Sequence, residues 1–336
     1  MIVMKQKFNK TANRPDGESV NALIDAIIKE RPDLERERFY VPSSGMVATT
    51  VLTKDEVFKT SKRGTDTSII DEYKFLQHMN GYDLGAEIPQ ITTIGKEKVF
   101  YGMTRVSGAS LEATQLFEMS QQEQQRIAEQ LAEFNVRYSR SFNEGDRARL
   151  GISDDGNNWR LTPDKVIRAL ENPDVRKALG EENFSFCRRM AEKFRANYDP
   201  EEHEKRMVIV HADMHPGNIF YDPKTSQLSL IDIGCGQKYQ IETAFAQIAK
   251  SYSAGFTEKF LKAYSEKSGM DVTLKQIETA HCLYVTLNMQ GAVKRGDEAG
   301  ISAIRNYVDE YREKRLDHDP LVSPSSKSEK RLARKL

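Results

Sequence analysis

Asp213, Asn218 and Asp232 are the residues in this chain whose types and spacing point most directly to chemistry. Asp213 and Asn218 lie in the polar loop H-A-D-M-H-P-G-N, His211 to Asn218, which follows the apolar run Met207 to Val210. The chain resumes strand character over Ile219 to Tyr221 and turns at Asp222-Pro223-Lys224. It then alternates again through Leu228, Leu230 and Ile231 and ends in Asp232 and Gly234. A carboxylate, a carboxamide five residues later and a second carboxylate at the end of a short hairpin can converge on one point. That set suits a hydroxyl-orienting base beside a Mg²⁺ site that holds nucleotide phosphates. Mg²⁺ takes one or two carboxylates and leaves its other positions to phosphate and water, while phosphoryl transfer depends on an aimed acceptor oxygen. The competing reading is turn chemistry, because Asp, Asn and Pro-Gly are common in loops.

The apolar periodicities on either side define the elements that must position these residues. Val20, Leu23, Ile24, Ile27 and Ile28 recur at helical spacing over Ser19 to Lys29, and Pro32 closes that helix. Phe39-Tyr40-Val41, Val47 to Leu52 and Val57-Phe58-Lys59 read as three strands, separated by Pro42-Ser43-Ser44-Gly45 and by Lys54-Asp55. Thr67 to Met79 reads as a helix with Ile69, Ile70, Tyr73, Leu76 and Met79 on one side, stopped by Asn80-Gly81. Ile88 to Ile94 and Lys98 to Met103 read as a further hairpin. A small antiparallel sheet with one helix laid on it is therefore expected over residues 30–104.

After Val106-Ser107-Gly108-Ala109-Ser110 the pattern becomes helical. Ser120 to Glu123 is a capping box ahead of an Ile127, Leu131, Phe134 stripe. Phe142 to Asn158, rich in Gly, Asp and Asn, reads as a long surface loop or insertion. Helices are expected from Thr162-Pro163, over Glu181 to Tyr198, and over 241–267, 273–294 and 301–315. The tail from Leu321 carries Ser and Pro and then Lys327, Lys330, Arg331, Arg334 and Lys335, and reads as solvated and disordered.

Composition narrows the function classes. At 336 residues, 38% of them hydrophobic, the chain can build two or three units with real cores. The 50 basic residues equal the 50 acidic ones, so nothing global points to nucleic acid or an anionic membrane. Three cysteines, Cys187, Cys235 and Cys282, do not make a disulfide framework and read as free thiols in a reducing compartment. M-I-V-M-K-Q-K-F lacks the apolar run of a signal peptide, and no run of ~18 apolar residues occurs, so no membrane span is expected. The expected setting is cytoplasmic, with export by a non-cleaved address as the alternative.

Set side by side, the sheet-forming segment, the helical segment and the central stretch resemble the kinase-like phosphotransferases of the aminoglycoside phosphotransferase and choline kinase group. His211, Asp213, Asn218, Asp232 and Gly234 meet the kinase pattern H-x-D-x-x-x-x-N followed by D-x-G. The loop H-A-D-M-H-P-G-N is closer to that group than to protein kinases, which tend to carry Arg before the Asp. The resemblance covers about Tyr40 to Gly234 and implies a two-lobed α+β fold of protein-kinase type. Residues 1–104 would form a small antiparallel-sheet lobe, 105–320 a mainly helical lobe, and 321–336 the tail. It further implies ATP (or GTP) and Mg²⁺ as cofactors.

In that frame Asp213 is the base or orienting carboxylate, and Asn218 and Asp232 are the Mg²⁺ ligands. Lys59, in V-F-K, reaches the phosphates and Glu72 holds it, with Lys54, Lys62, Glu56 and Asp71 as competing positions. The Ser43-Ser44-Gly45-Met46 turn lies where a phosphate-covering loop belongs, so Ser44 and Gly45 are candidate nucleotide contacts; an ordinary hairpin turn is the alternative. Met103, Thr104 and Val106 resemble the hinge whose backbone meets the base, and Gly108, Ser110 and Leu111 match the G-x-S-L that follows it. His211 reads as a brace for the loop. His215 is open between loop bracing and a contact near the phosphates, and Cys235 reads as packing.

The later helices would supply the acceptor pocket. His281, Tyr284, Asn288, Met289 and Gln290 are pocket candidates, although core packing and ordinary surface account for them better. Acidic and basic residues nearly balance over 241–320, which disfavours a polycationic acceptor. The reading is Mg²⁺-dependent transfer of the γ-phosphoryl group to a small-molecule hydroxyl. The rivals are a protein-directed kinase, such as a secreted effector, and a nucleotide-binding pseudokinase scaffold.

Overall fold

A computed structural model describes residues 17–42, 48–61, 68–96, 100–152, 160–211, 213–233 and 238–317. Ser44 and Gly45 with the rest of the 43–47 turn, Lys62, Gly234, Cys235 and the tail from Leu321 lie outside the described residues. The fold is α+β, with a small antiparallel sheet and a mainly helical remainder. The chain divides into two compact units. The first comprises Met1–Asp155, Ile209–Lys238 and Ser251–Gly269; the second comprises Gly156–Val208, Tyr239–Lys250 and Met270–Leu336.

The first unit opens with helix α1 (Gly17–Glu30) and a four-stranded antiparallel sheet. Its strands β1 (Ala48–Leu52), β2 (Glu56–Ser61), β3 (Ile91–Ile94) and β4 (Phe100–Thr104) lie in the order β1-β2-β4-β3. Leu23, Ile24 and Ile27 of α1 pack on Val51, Phe58 and Phe100 of the sheet. Ile27, Val51 and Phe58 are fully buried, and burial of each such side chain contributes about 2 kcal/mol. Helix α2 (Ser68–Met79) ends where Gly81 takes φ +86°, the left-handed conformation that glycine tolerates.

Two expected strands are shorter in the structure. Phe39 to Val41 is reduced to a single bridge between Tyr40 and Leu52. The strand expected from Ile88 begins only at Ile91, after Pro89, which has no amide to offer a ladder.

After β5 (Ala109–Ser110) come α3 (Ala113–Glu118), α4 (Gln121–Arg140) and α5 (Glu144–Leu150). The Ser120 side chain caps α4 by accepting from the Glu123 amide. Helix α5 corrects the reading of Phe142 to Asn158 as loop: Asn143 and Asp146 form a capping box that starts a helix within it.

The second unit holds α6 (Pro163–Leu170), α7 (Pro173–Leu179), α8 (Glu181–Ala196) and α9 (Pro200–Lys205). α6, α7 and α9 each begin with Pro, behind Thr162, Asn172 and Asp199 respectively. β6 (Met207–Val208) is also here, and it pairs with the later β9 (Tyr239–Gln240).

The hairpin of β7 (Ile219–Asp222) and β8 (Gln227–Leu230) returns to the first unit and forms a three-stranded sheet with β5, in the order β5-β7-β8. The helix expected over 241–267 is three helices, α10 (Ile241–Ala244), α11 (Ala246–Ser251) and α12 (Ala254–Ser268). Ser253 takes an extended conformation and caps α12 through the Phe256 amide, which forces one of the breaks. α12 packs along α4. In the second unit α13 (Leu274–Arg295) and α14 (Glu298–Asp317) enclose a core of Leu161, Val166, Val175, Cys187, Leu283 and Val308 with α6 to α8.

Candidate active site

The β7–β8 hairpin sets the central residues. Its register pairs Ile219 with Leu230, and the Ile231 amide donates to the Asn218 carbonyl at 3.0 Å. The ladder thus runs one pair past the strands, and Asn218 and Asp232 leave its open end together. The preceding loop is held by its own backbone. The His215 amide donates to the Asp213 carbonyl at 3.0 Å, and the Asn218 amide to the His215 carbonyl at 2.9 Å. Pro216-Gly217-Asn218 forms one tight helical turn capped by His215, whose Nδ1 accepts from the Gly217 amide at 3.0 Å. The Asn218 Nδ2 donates to the Asp213 carbonyl at 3.0 Å and to Asp213 Oδ2 at 3.3 Å. The amide nitrogen is thereby committed to the loop, and Oδ1 is the end of this 3%-exposed side chain that a cation could use. The Asp213 carboxylate itself is 61% exposed.

Asp232 has φ +55°, a left-handed conformation unusual for a residue with a Cβ. Such strain persists only where the surroundings impose it. Here Tyr138 of α4, fully buried, donates its hydroxyl to the Ile233 carbonyl at 2.6 Å. His211, also fully buried, presents an edge to Phe134 with ring centroids 6.4 Å apart. Burial lowers its imidazole to about 4, so it is neutral at physiological pH and braces the loop. Asn135 of α4 reaches Met214 Sδ at 3.1 Å, beneath the same loop.

Lys59 projects from β2 into this group. Its Nζ donates to Glu72 Oε1 at 2.9 Å and Oε2 at 3.1 Å, and to Asp232 Oδ1 at 2.5 Å. Burial pulls the ammonium down, but the two carboxylates outweigh it and hold Lys59 above the ordinary lysine range. Burial pushes the Glu72 carboxyl up against the pull of Lys59. Asp232, about half exposed, is pushed up by desolvation, yet the Lys59 charge and hydrogen bond bring it below the usual carboxylate range. Tyr101 was not visible as a site residue in the sequence. It lies directly opposite Lys59 in the β2–β4 register, is 3% exposed, and donates its hydroxyl to Glu72 Oε2 at 2.6 Å. Lys54 and Glu56 make no contact with this set among the described residues, and the Asp71 side chain lies outside them.

The expected hinge leaves the end of β4. Met103 is buried between Val57 and Ile91. The Thr104 amide donates to the Gln90 carbonyl at 2.8 Å and its Oγ1 accepts from the Gln90 amide at 2.9 Å. The Arg105 amide donates to the Asp55 carbonyl at 2.8 Å, and Val106 is half-buried. Among the described residues no hydrogen bond joins Met103, Thr104 or Val106 to the Lys59 group; Met103 and Thr104 follow Tyr101 along β4, and Val106 lies just past the end of that strand.

Gly108 passes close to β7, at φ +88°, where an added Cβ would lie 2.5 Å from the Tyr221 carbonyl carbon. Ser110 Oγ is 2.7 Å from the Pro216 carbonyl, and the Leu111 amide donates to the Ile219 carbonyl at 2.8 Å. The G-x-S-L segment is thus tied to the Asp213 loop and its hairpin.

In the second unit the pocket candidates of α13 divide. His281 meets the Tyr307 ring edge-on, with centroids 4.7 Å apart, and burial lowers it to about 4. Tyr284 is half-buried, Met289 is fully buried, and Asn288 and Gln290 are exposed.

The donor set at the hairpin end fits Mg²⁺. Asn218 offers a neutral oxygen and Asp232 a carboxylate oxygen, both hard ligands, and no cluster of three His, Cys, Asp or Glu suited to a softer or all-protein site occurs among the described residues.

Solved structures share this architecture. The GDP complex of wild-type aminoglycoside 2'-phosphotransferase-IIIa superposes with a TM-score of 0.70 at 17% identity, covering 88% of this chain and 99% of that one. The streptomycin–ATP–APH(2")-IIa ternary complex gives 0.60 at 17% identity, over 88% and 99%. Macrolide 2'-phosphotransferase MphH from Brachybacterium faecium gives 0.59 at 11% identity, over 87% and 98%. At these identities the likeness is one of fold. No curated protein matches the sequence. Residues 41–276 match the phosphotransferase enzyme family, and this chain belongs to that family as an enzyme that transfers phosphoryl groups to hydroxyls.

Proposed function

We propose that the protein is a small-molecule kinase that moves the γ-phosphoryl group of ATP or GTP to a hydroxyl, with Mg²⁺. The observation that carries this reading is the joining of Lys59, from the sheet, to Glu72 and to Asp232, from the hairpin, in one hydrogen-bonded set beside Asp213 and Asn218. Lys59, held by Glu72, binds the phosphates. Asn218 Oδ1 and Asp232 would hold Mg²⁺, which would screen the charge of the phosphates. Asp213 accepts the acceptor's hydroxyl proton and aims its oxygen in line. The backbone of Met103 to Val106 receives the base, and Ser44 and Gly45 cover the phosphates.

The acceptor class rests on the relatives of like fold. Their names specify aminoglycosides, streptomycin and macrolides, all small molecules, and their nucleotides are GDP, ADP and ATP. The near balance of charge over 241–320 favours a weakly charged acceptor over a polycation. A scaffold without activity is disfavoured because no group that the chemistry needs is missing. No helix among the described residues is long and apolar enough to cross a membrane.

The test is turnover of Mg²⁺-ATP and Mg²⁺-GTP by wild type and by Asp213→Ala, against a macrolide and aminoglycoside panel and against a size-fractionated cell extract. Phosphorylated small molecules formed by wild type alone support the reading. Equal, negligible turnover by both proteins with intact nucleotide binding refutes catalysis, and label confined to macromolecules refutes the acceptor class.

A further inference from the structure

Glu87 precedes β3 and belongs to none of the groups described above, yet it joins three segments of the first unit. Its backbone bridges β8: the Glu87 amide donates to the Leu228 carbonyl at 2.9 Å, and the Leu230 amide donates to the Glu87 carbonyl at 2.9 Å. Its side chain gathers donors on a single oxygen. Ser229 Oγ, fully buried on β8, donates to Oε2 at 2.8 Å, and Ser107 Oγ donates at 2.9 Å. The Ser107 amide lies 3.4 Å from the same oxygen. Ser107 follows Val106 in the linker, and Ser229 stands three residues before Asp232. One carboxylate therefore spans from the base-receiving segment to the strand that delivers the Asp232 carboxylate.

The consequence for the linker follows from peptide geometry. In a trans peptide the N–H and the preceding C=O point in opposite directions. Turning the Ser107 amide toward Glu87 thus aims the Val106 carbonyl away from Glu87. A hydrogen bond to a charged acceptor is worth more than a neutral one, and three donors converging on one carboxylate oxygen fix both neighbours more firmly than a lone pair would.

We propose that Glu87 is a positioning residue for nucleotide recognition: through Ser107 it fixes the Val106 peptide that meets the base, and through Ser229 it fixes the hairpin strand that leads to Asp232. The inference rests on the nucleotide-site reading of the preceding section. It adds to that reading a residue which touches neither phosphate nor metal.

The test is a double-mutant cycle on nucleotide affinity, read by calorimetry with Mg²⁺-ADP and Mg²⁺-GDP. Ser107→Ala removes the shorter, hydroxyl contact of the linker arm and leaves only the 3.4 Å amide contact, at an exposed site where folding is not at risk. It should weaken binding roughly fivefold, as expected for loss of one charge-assisted hydrogen bond, while kcat at saturating nucleotide stays within about twofold. Glu87→Ala should weaken binding at least as much, and adding Ser107→Ala to it should cost nothing further. Glu87→Gln keeps an acceptor oxygen and should recover most of the affinity. Wild-type affinity in Ser107→Ala, or additive losses in the double variant, would overturn the proposal and leave the nucleotide-site reading intact. A wild type that binds neither nucleotide would overturn both. Should Glu87→Ala fail to fold, Ser107→Ala and Glu87→Gln decide: weakened binding in the first with near-wild-type affinity in the second supports the proposal, and wild-type affinity in Ser107→Ala overturns it.

Discussion

Lys59 and Asp232, 173 positions apart, meet at 2.5 Å, and the same ammonium reaches Glu72 at 2.9 Å. Lys59 and Glu72 are largely buried, so each depends on the other for its charge. Lys59→Ala leaves Glu72 without its cation in a poorly solvated site. We expect it to lower the unfolding free energy by about 3 kcal/mol and turnover by ~100-fold or more. Urea titration and a coupled nucleotide assay measure the two effects. A variant with wild-type turnover removes Lys59 from the site.

Asp213 and Asp232 are both carboxylates but differ in surroundings: Asp213 is open to solvent and bonded by Asn218, while Asp232 is pinned by Lys59. A group that faces the acceptor should matter for turnover, and a group that faces metal and phosphate should matter for binding. Asp232→Ala is expected to weaken Mg²⁺-dependent nucleotide binding more than Asp213→Ala does, with both strongly impaired in turnover. Calorimetric titration showing the reverse order would exchange their roles.

Tyr101 donates to the Glu72 oxygen that also faces Lys59. Tyr101→Phe keeps the ring and its packing against Tyr73, 6.2 Å away between centroids, and deletes one donor to a buried carboxylate. The expected cost is about 1–2 kcal/mol of stability and a several-fold rise in nucleotide KM, as Glu72 loses its second anchor. An unchanged KM would show that Lys59 alone orients Glu72.

These three residue sets differ in how far they could be read from the chain. Asp213, Asn218 and Asp232 were legible because the hairpin that gathers them is local: a strand, a turn at Asp222-Pro223 and a strand bring both ends together within a short stretch. Lys59 and Glu72 were legible only through resemblance, since a lysine on a strand and a glutamate on a helix are ordinary. Tyr101, Glu87 and Tyr138 were not legible. Their roles come from the β2–β4 register, the Glu87 bridge to Ser229 and the seating of α4, which depend on contacts between distant segments. Among the elements, α7 and α9 carry readable start signals, Asn or Asp before Pro, but are too short to show an apolar periodicity. The breaks within 241–267 had only Ser253 as a cue, and the capping box of α5 was masked by the polar composition around it.

His211 supplies a pH dependence. Its folded value of about 4 lies below the ordinary 6.5 because burial disfavours the imidazolium. Stability from this site is therefore complete above pH ~6.5 and is lost as pH falls toward 4, because the unfolded chain takes up the proton first. Over that window His211 should contribute a slope of up to ~1.4 kcal/mol per pH unit. His281 acts in the same direction, so the readout is a difference: His211→Gln should show a shallower decline of unfolding free energy between pH 7 and 5 than wild type, whatever its absolute stability. Parallel declines would mean that His211 takes up its proton equally in the folded and unfolded chain.

Gly108 tests whether the linker must run where it does. Its φ of +88° is strained for any residue with a side chain, and a Cβ there would lie 2.5 Å from the Tyr221 carbonyl carbon and 2.6 Å from its oxygen. Both atoms are backbone in β7, the strand that leaves Asn218, so neither can rotate aside as a flexible side chain would. In Gly108→Ala either the linker lifts from β7 or the hairpin shifts, and the strain should lower stability by about 1–3 kcal/mol. Because the Ser110–Pro216 and Leu111–Ile219 contacts lie just beyond, nucleotide turnover should fall further than that loss of stability alone accounts for at a temperature where the variant remains folded. Gly108→Ala with wild-type melting temperature and turnover would show that the linker can move off β7 without disturbing the Asp213 loop.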